Sequence, residues 1–524
     1  MRWTRTVVSP SVFALALSIV IAGCGAGPSD RPHVAVEHPP VPGGSTRTEQ
    51  APPPPPAPEV PQKDLAWREC TQQTFDRLGI GPAPQAVVLD CAEYPTPIDT
   101  AGTVLGSFRT GAVRARLPQT PHDAAPLILT SGTDLSSTTT LAGLAATGGG
   151  QVNQILATRP IVAVDRRGIG GSQAIDCLPP DIRRGMQDNA QFAPGGNPAG
   201  ALTELSQTGT IACRDFLQPY DGAFDAAHAA DDIEQLRKQW EVEHIALLGT
   251  GDGGLIALEY ARKYGDHLAR LVLDSPTPVA ADAVTRAEQQ VQGAEAALTA
   301  FAQRCVGMGC SLGPDPRGAV IALVRKAEAG QLGDISANAV VTAVTGFLGN
   351  PRADQATRTT EPADALSAAD RGDRGPLTAL IERETTARAS DGQFVNRCTD
   401  TSRPPTPTQA AQLADTWGEK YPAFGRATAL SLLTCAAWPA SEPPPAPEKL
   451  ELPVLVLAGV ADPVSGAGQA SVTGRLGTAG ARHATMTWQG WGHPVSTHSG
   501  CAQRAVVDYL NGARLPGDGT ACPA

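Results

Sequence analysis

A chain of 524 residues, 41% hydrophobic and 18% charged, carries enough apolar surface for a large core and more than one module, which excludes a disordered or fibrous protein. Its formal net charge of −11, without a basic run or aromatic–basic interleaving, argues against nucleic acid as a partner.

Residues 1–23 read as an export signal. Arg2 and Arg5 form a charged start, Val7 to Ala22 an apolar stretch too short for an ordinary spanning helix, and Ile21-Ala22-Gly23-Cys24 closes it. That ending is similar to a bacterial lipobox, which would make Cys24 the lipidated first residue of the mature protein; the plainer alternative is a signal peptide with an incidental cysteine. Residues 24–66 carry "APPPPPAPEVP" and few large apolar side chains, so they are expected to form an extended tether. A diacylated Cys24 would then hold a folded body to the outer face of the cell membrane.

From residue 67 strands and helices alternate. "APLILTSG" (125–132) and "RPIVAVDRRGIGGS" (159–172) are short apolar runs ending in glycine turns. "AADDIEQLRKQW" (229–240) has helical spacing at Ile233, Leu236 and Trp240 and leads into "EHIALLGTG" (243–251). Such alternation predicts an α/β class with a mostly parallel sheet covered on both faces. After residue 277 the texture turns helical, with Val284, Ala287, Val291, Ala294, Leu298 and Phe301 at three- and four-residue steps. Residues 278–450 read as an inserted helical cap that splits the core into 67–277 and 451–524. The sheet pattern returns with "LPVLVLAGVADPV" (452–464) and "ATMTWQGWGHPV" (484–495), before a last helix near "GCAQRAVVDYL" (500–510).

Ten cysteines remain beyond Cys24, an even number in an exported chain, and none forms a C-x-x-C metal pair. The expected pairs are sequence neighbours: Cys70 with Cys91, Cys177 with Cys213, Cys305 with Cys310, Cys398 with Cys435, and Cys501 with Cys522. Without a carboxylate or cysteine at ligand spacing, His483, His493 and His498 do not suggest a metal site, and no cofactor is expected.

The turn after residue 248 admits three readings. Gly249-x-Gly251-x-x-Gly254, with Asp274 about 20 residues on, fits a dinucleotide-binding fingerprint. Against it, at least two strands precede the turn, whereas such fingerprints usually stand in the first βα unit. Alternatively, Gly249-Thr250-Gly251-Asp252-Gly253 matches the Gly-x-Ser-x-Gly elbow of α/β-hydrolases with glycine at the nucleophile position. A frame shifted by one residue makes Asp252 a carboxylate nucleophile, or simply a residue at a helix N-terminus.

On the elbow reading, the acid should follow a late strand and the histidine should precede the last helix; Asp462 and His493 stand there. Each has a plain alternative, a Pro-containing turn and an exposed loop. The oxyanion loop would be Thr130 to Ser137, centred on Ser131, Gly132 and Thr133, with Asp134 placed to repel a developing oxyanion. Ser131 or Ser136 could substitute as nucleophile if the loop brought either to the histidine.

In order along the chain stand Trp67-x-x-Cys70, "DRRGIGGS" before Cys177, "DDIEQLR" before the elbow, Cys305 and Cys310 followed by "SLGPDP", then "VNRCTD", "LLTCAAWP", "ADPV", and "GHPV" before Cys501 and Cys522. Together these resemble the exported bacterial tripeptidyl-aminopeptidase-like (TAP-like) serine proteases of the α/β-hydrolase superfamily, over roughly residues 67–524. The resemblance implies an α/β-hydrolase core with a helical cap, with Asp462 and His493 as acid and base. It also implies a serine where this chain has Gly251 and an Asn-Pro-Gly-Gly-Pro-Gly-like loop where it has "TSGTDLSS". The expectation is therefore a tethered, non-catalytic relative that binds a peptide, lipid or envelope ligand. The competing expectation is a working hydrolase using Asp252 or another nucleophile.

Overall fold

A computed structural model describes residues 56–524 apart from 85, 134, 147–152, 350–354, 388–389, 443–444 and 446. The signal segment, Cys24, most of the Pro-rich stretch and Asp134 lie outside the described residues.

Ten strands form one sheet: β1 (Arg68–Glu69), β2 (Val88–Pro97), β3 (Ser107–Arg116), β4 (Leu127–Thr130), β5 (Ile161–Val164), β6 (Ile245–Thr250), β7 (Leu268–Asp274), β8 (Val454–Ala461), β9 (His483–Trp491) and β10 (Thr520–Cys522). Their order is β1-β2-β3-β5-β4-β6-β7-β8-β9-β10. The β1, β2, β3 and β5 pairings are antiparallel, and everything from β5 through β4 to β10 is parallel. Because helices cover both faces, the central strands β4, β5, β6 and β7 are buried at every residue and are mostly apolar, with Arg270 the one charged residue inside a strand and Asp274 closing β7. Alternate side chains enter different layers. Ile128, Leu247 and Leu271 pack with the helices Ala226–Trp240 and Gly253–Tyr264, while Leu129, Leu248 and Val272 pack with Ser137–Ala146 and Gly500–Gly512.

Between β7 and β8 the chain builds helices from Ala283–Met308 to Gly425–Ser431 around Leu298, Phe301, Val340 and Phe424. This cap is larger than expected. The helices Pro180–Gln187 and Pro198–Leu217, which the sequence reading left in the first part of the core, pack Leu202, Cys213 and Leu217 against Val395, Leu433 and Cys435. Pro179 and Asn197 open these helices, whose apolar stripes face the cap. Disulfides join Cys177 to Cys213 and Cys398 to Cys435 within this layer; the others join Cys70 to Cys91, Cys305 to Cys310 and Cys501 to Cys522. Five disulfides fit an exported protein. No helix among the described residues is long and apolar enough to cross a membrane.

The body also starts ahead of residue 67. The Glu59 N–H donates to the His244 carbonyl at 3.0 Å and Gln62 N–H to the Trp240 carbonyl at 2.9 Å, while Leu65 is buried in the core. Glu59 accepts further bonds from the Glu243 N–H and the His244 ring, both at 3.0 Å, at the N-terminal end of β6. The expected tether boundary at 66 therefore falls inside packed chain.

Candidate active site

β6 ends in the turn Thr250-Gly251-Asp252, which feeds the helix Gly253–Tyr264 at the C-terminal edge of the sheet. Gly251 has φ +56°, a conformation that costs other residues strain and glycine almost none. Main-chain bonds hold it. Its N–H donates to the Asp274 carbonyl at 3.2 Å, and its carbonyl accepts from Gly254 at 3.0 Å and Thr277 at 3.2 Å.

Asp462 follows β8 and His493 follows β9, and the sheet order brings both to this turn. His493 Nδ1 lies 2.9 Å from Asp462 Oδ2. Asp462 Oδ1 accepts the N–H groups of Val464 and Ser465, each at 2.8 Å, so the carboxylate is oriented by its own loop. Both side chains are buried. The His493 N–H donates to the Gly349 carbonyl at 2.9 Å, a tie from the cap to the histidine loop. A Cβ added to Gly251 would stand 3.2 Å from His493 Nε2 and 3.3 Å from its Cε1. The three triad positions thus converge, with no side chain at the first.

Asp252 points elsewhere. Its Oδ1 accepts the Thr277 hydroxyl at 2.7 Å and its Oδ2 the Thr133 hydroxyl at 3.1 Å, with Arg286 at 3.9 Å. Burial alone would raise its carboxyl; Arg286 and the two hydroxyls outweigh that and hold it below the usual carboxylate range. As a nucleophile it would have to leave these partners.

The loop after β4 is knitted to itself. Ser131 Oγ bonds the hydroxyls of Thr140 (2.9 Å) and Thr250 (2.8 Å), and its N–H donates to Ser137 Oγ at 2.9 Å. Ser136 Oγ bonds the Thr139 hydroxyl at 2.8 Å and accepts the Thr139 N–H at 3.0 Å, as a helix cap does. Neither serine is placed as a nucleophile, and the Ser131 N–H is already committed. Gly132 lies against the elbow: a Cβ there would be 2.5 Å from Asp252 Cβ and 3.0 Å from its nitrogen.

The dinucleotide reading fails on the same geometry. A Cβ on Gly253 would sit 2.1 Å from the Thr130 carbonyl oxygen, so β4 and its loop fill the space at this helix start where a pyrophosphate would lie. Asp274, the expected ribose carboxylate, is wholly buried, its oxygens accepting Val495 N–H at 2.9 Å and Ser496 N–H at 2.8 Å. Its real task is to pin the histidine loop. Burial pushes its carboxyl up, against those N–H donors and the charge of His493.

His483 opens β9, its ring bonding the Ala481 carbonyl at 3.2 Å, whereas His498 lies behind His493, stacked on Trp488 at 5.3 Å. His498 Nδ1 is 3.1 Å from Arg358, whose guanidinium covers Trp491 at 4.3 Å. Sequence reasoning missed Asp274 in this role, as well as Gly349, Arg358 and Ser465, since only the fold brings them to the site. Ser465 alone had a local signal, three residues after the acid.

Beside the elbow a cleft of about 270 Å³ opens between sheet and cap, with Asp252, Arg286, Val291, Thr345, Arg397 and Ser465 on its walls. Its mixture of apolar and hydrogen-bonding groups suits a small ligand or a chain end.

Residues 421–522 match the family model described as TAP-like protein, and residues 143–306 match the model of the alpha/beta hydrolase fold. Solved structures similar in fold include a hydrolase from Pseudomonas aeruginosa PA01, at 13% identity over 80% of this chain and 98% of that one, with a TM-score of 0.35. A thermophilic esterase from Thermogutta terrifontis matches at 14% identity over 80% and 98% (TM-score 0.35), and esterase E22 at 12% over 81% and 100% (0.39). No match is found among curated proteins.

Proposed function

Starting from an α/β-hydrolase of the TAP-like kind, we propose that this chain is a non-catalytic, lipid-anchored binding protein that retains the hydrolase cleft without its nucleophile. The reading rests on one observation: His493 faces Gly251 at 3.2 Å from where a Cβ would stand, so the acid and base are in register with a position that has no hydroxyl. An elbow held by main-chain bonds loses no structure with the serine. The loop against it supports the same reading, since the N–H of Ser131 serves the Ser137 hydroxyl instead of a developing oxyanion. Cys24 would carry the lipid, and the cleft would take a peptide, lipid or envelope ligand on the outer side of the membrane.

The test is labelling of the exported chain by a serine-hydrolase phosphonate, with peptide and ester turnover measured alongside, in wild type and Gly251→Ser. The wild type is expected to stay unlabelled and the variant to label, despite roughly 1–3 kcal/mol of backbone strain at a non-glycine residue there. Labelling or turnover by the wild type would overturn the proposal.

A further inference from the structure

One wall of the cleft is a face of the helix Ala283–Met308, which presents Arg286, Gln290, Val291 and Ala294 at helical spacing. That face changes character along its length. Arg286 and Gln290 come first, one turn apart, and Val291 and Ala294 continue it as an apolar strip, with Val341 and Phe424 also lining the cleft. From Arg286 to Ala294 the strip runs about 12 Å at a helical rise of about 1.5 Å per residue.

The guanidinium of Arg286 is open to a ligand. Its side chain is 28% exposed, and among the described residues its nearest charged partner is Asp252 Oδ1 at 3.9 Å, beyond hydrogen-bond length. The carboxylates around it have other tasks. Asp252 accepts the hydroxyls of Thr277 and Thr133, and Asp282, one turn earlier, caps the helix by accepting the Thr285 N–H at 2.9 Å and the Thr285 hydroxyl at 2.8 Å. A guanidinium offers five N–H donors in a flat fork, and a carboxylate fills two of them at once. A bonded carboxylate stands at about 2.7–2.9 Å, nearer to the guanidinium than Asp252 does, so attraction outweighs the repulsion from Asp252. An ammonium, by contrast, would have to displace two hydroxyls from Asp252 and lie beside a like charge.

We propose that Arg286 anchors a ligand carboxylate, and that the cleft takes a short carboxylic acid whose apolar body lies along Val291 and Ala294. This rests on the non-catalytic reading and deepens it by giving the ligand a chemical class. Two sources carry that chemistry, the C-terminus of a small apolar peptide and a short fatty acid. Gln290 would offer its amide to the same head group.

Two pairs of compounds, each an acid and its amide, test it on the full chain: N-acetyl-alanyl-alanine against its C-terminal amide, and hexanoate against hexanamide. Binding is followed by ligand-observed NMR titration. At least one pair is expected to favour the acid by about 10- to 100-fold, the weight of a charge-assisted pair of hydrogen bonds, and which pair does so identifies the source. Arg286→Gln should level acid and amide while amide binding changes little, which separates loss of the anchor from loss of the fold. Arg286→Lys, with the charge but no fork, should keep a reduced preference. Equal binding within both pairs overturns the proposal, as does a preference that Arg286→Gln leaves intact. Phosphonate labelling of the wild type would instead overturn the non-catalytic reading, whatever the acids do.

Discussion

The two halves of the site are built differently. On the acid–base half every group is tied to the fold: Asp462 by two N–H donors of its own loop, His493 by the Gly349 carbonyl, and the residues after it by the buried carboxylate of Asp274. On the nucleophile half the turn is carried by main-chain bonds at Gly251, and the neighbouring hydroxyls of Ser131, Thr140 and Thr250 bond one another. Removing a side chain from the second half leaves no buried group unpaired in the turn; removing one from the first does. An acid–base pair tied into the fold in this way keeps its place whatever stands at residue 251, so its presence alone does not diagnose an enzyme.

The sharpest way to separate structure from chemistry is Asp462→Asn in the Gly251→Ser background. The asparagine oxygen can still accept from Val464 and Ser465, but its amide now faces His493 Nδ1 and forces the wrong tautomer. Turnover should fall by about 10⁴-fold while the melting temperature moves little, measured by ester hydrolysis and calorimetry. A large stability loss would show that the pair holds the fold through its charge. The second effect is smaller and purely structural. Asp274→Asn turns one acceptor into a donor facing a main-chain N–H, and should cost about 1–3 kcal/mol in denaturant unfolding.

How much of this was legible in the sequence follows from which interactions are local. The elbow turn, Asp462 and His493 each follow a strand, so the spacing of apolar runs points to Gly251, Asp462 and His493, and the fold brings these three positions together. Asp274 misled, because its position after β7 fits a ribose carboxylate equally well; only its long-range bonds to Val495 and Ser496 reveal its task. The helices Pro180–Gln187 and Pro198–Leu217 carry ordinary amphipathic patterns, and nothing local says that their stripe faces the cap rather than the sheet. Arg286 was overlooked for a related reason: a guanidinium open to a ligand is defined by everything around it that fails to reach it.

The contrast extends to pH. His498, behind the histidine loop, is held well below the usual imidazole range, first by burial and then by the charge of Arg358 3.1 Å away, so it stays neutral in the folded protein. In the unfolded chain the same ring takes up a proton near pH 6.5. The unfolded state then binds more protons, so stability from this group is complete above about pH 6.5 and is lost as pH falls below it, by up to about 1.4 kcal/mol per pH unit. Comparing denaturant midpoints of the wild type and His498→Gln between pH 7 and 5 isolates the effect, with the variant expected to show the shallower decline. Parallel curves would mean that the ring is charged in the fold. In that case Arg358 and His498 would repel, and the support behind His493 would have to come from the stacking of His498 on Trp488 and from the Gly349 carbonyl.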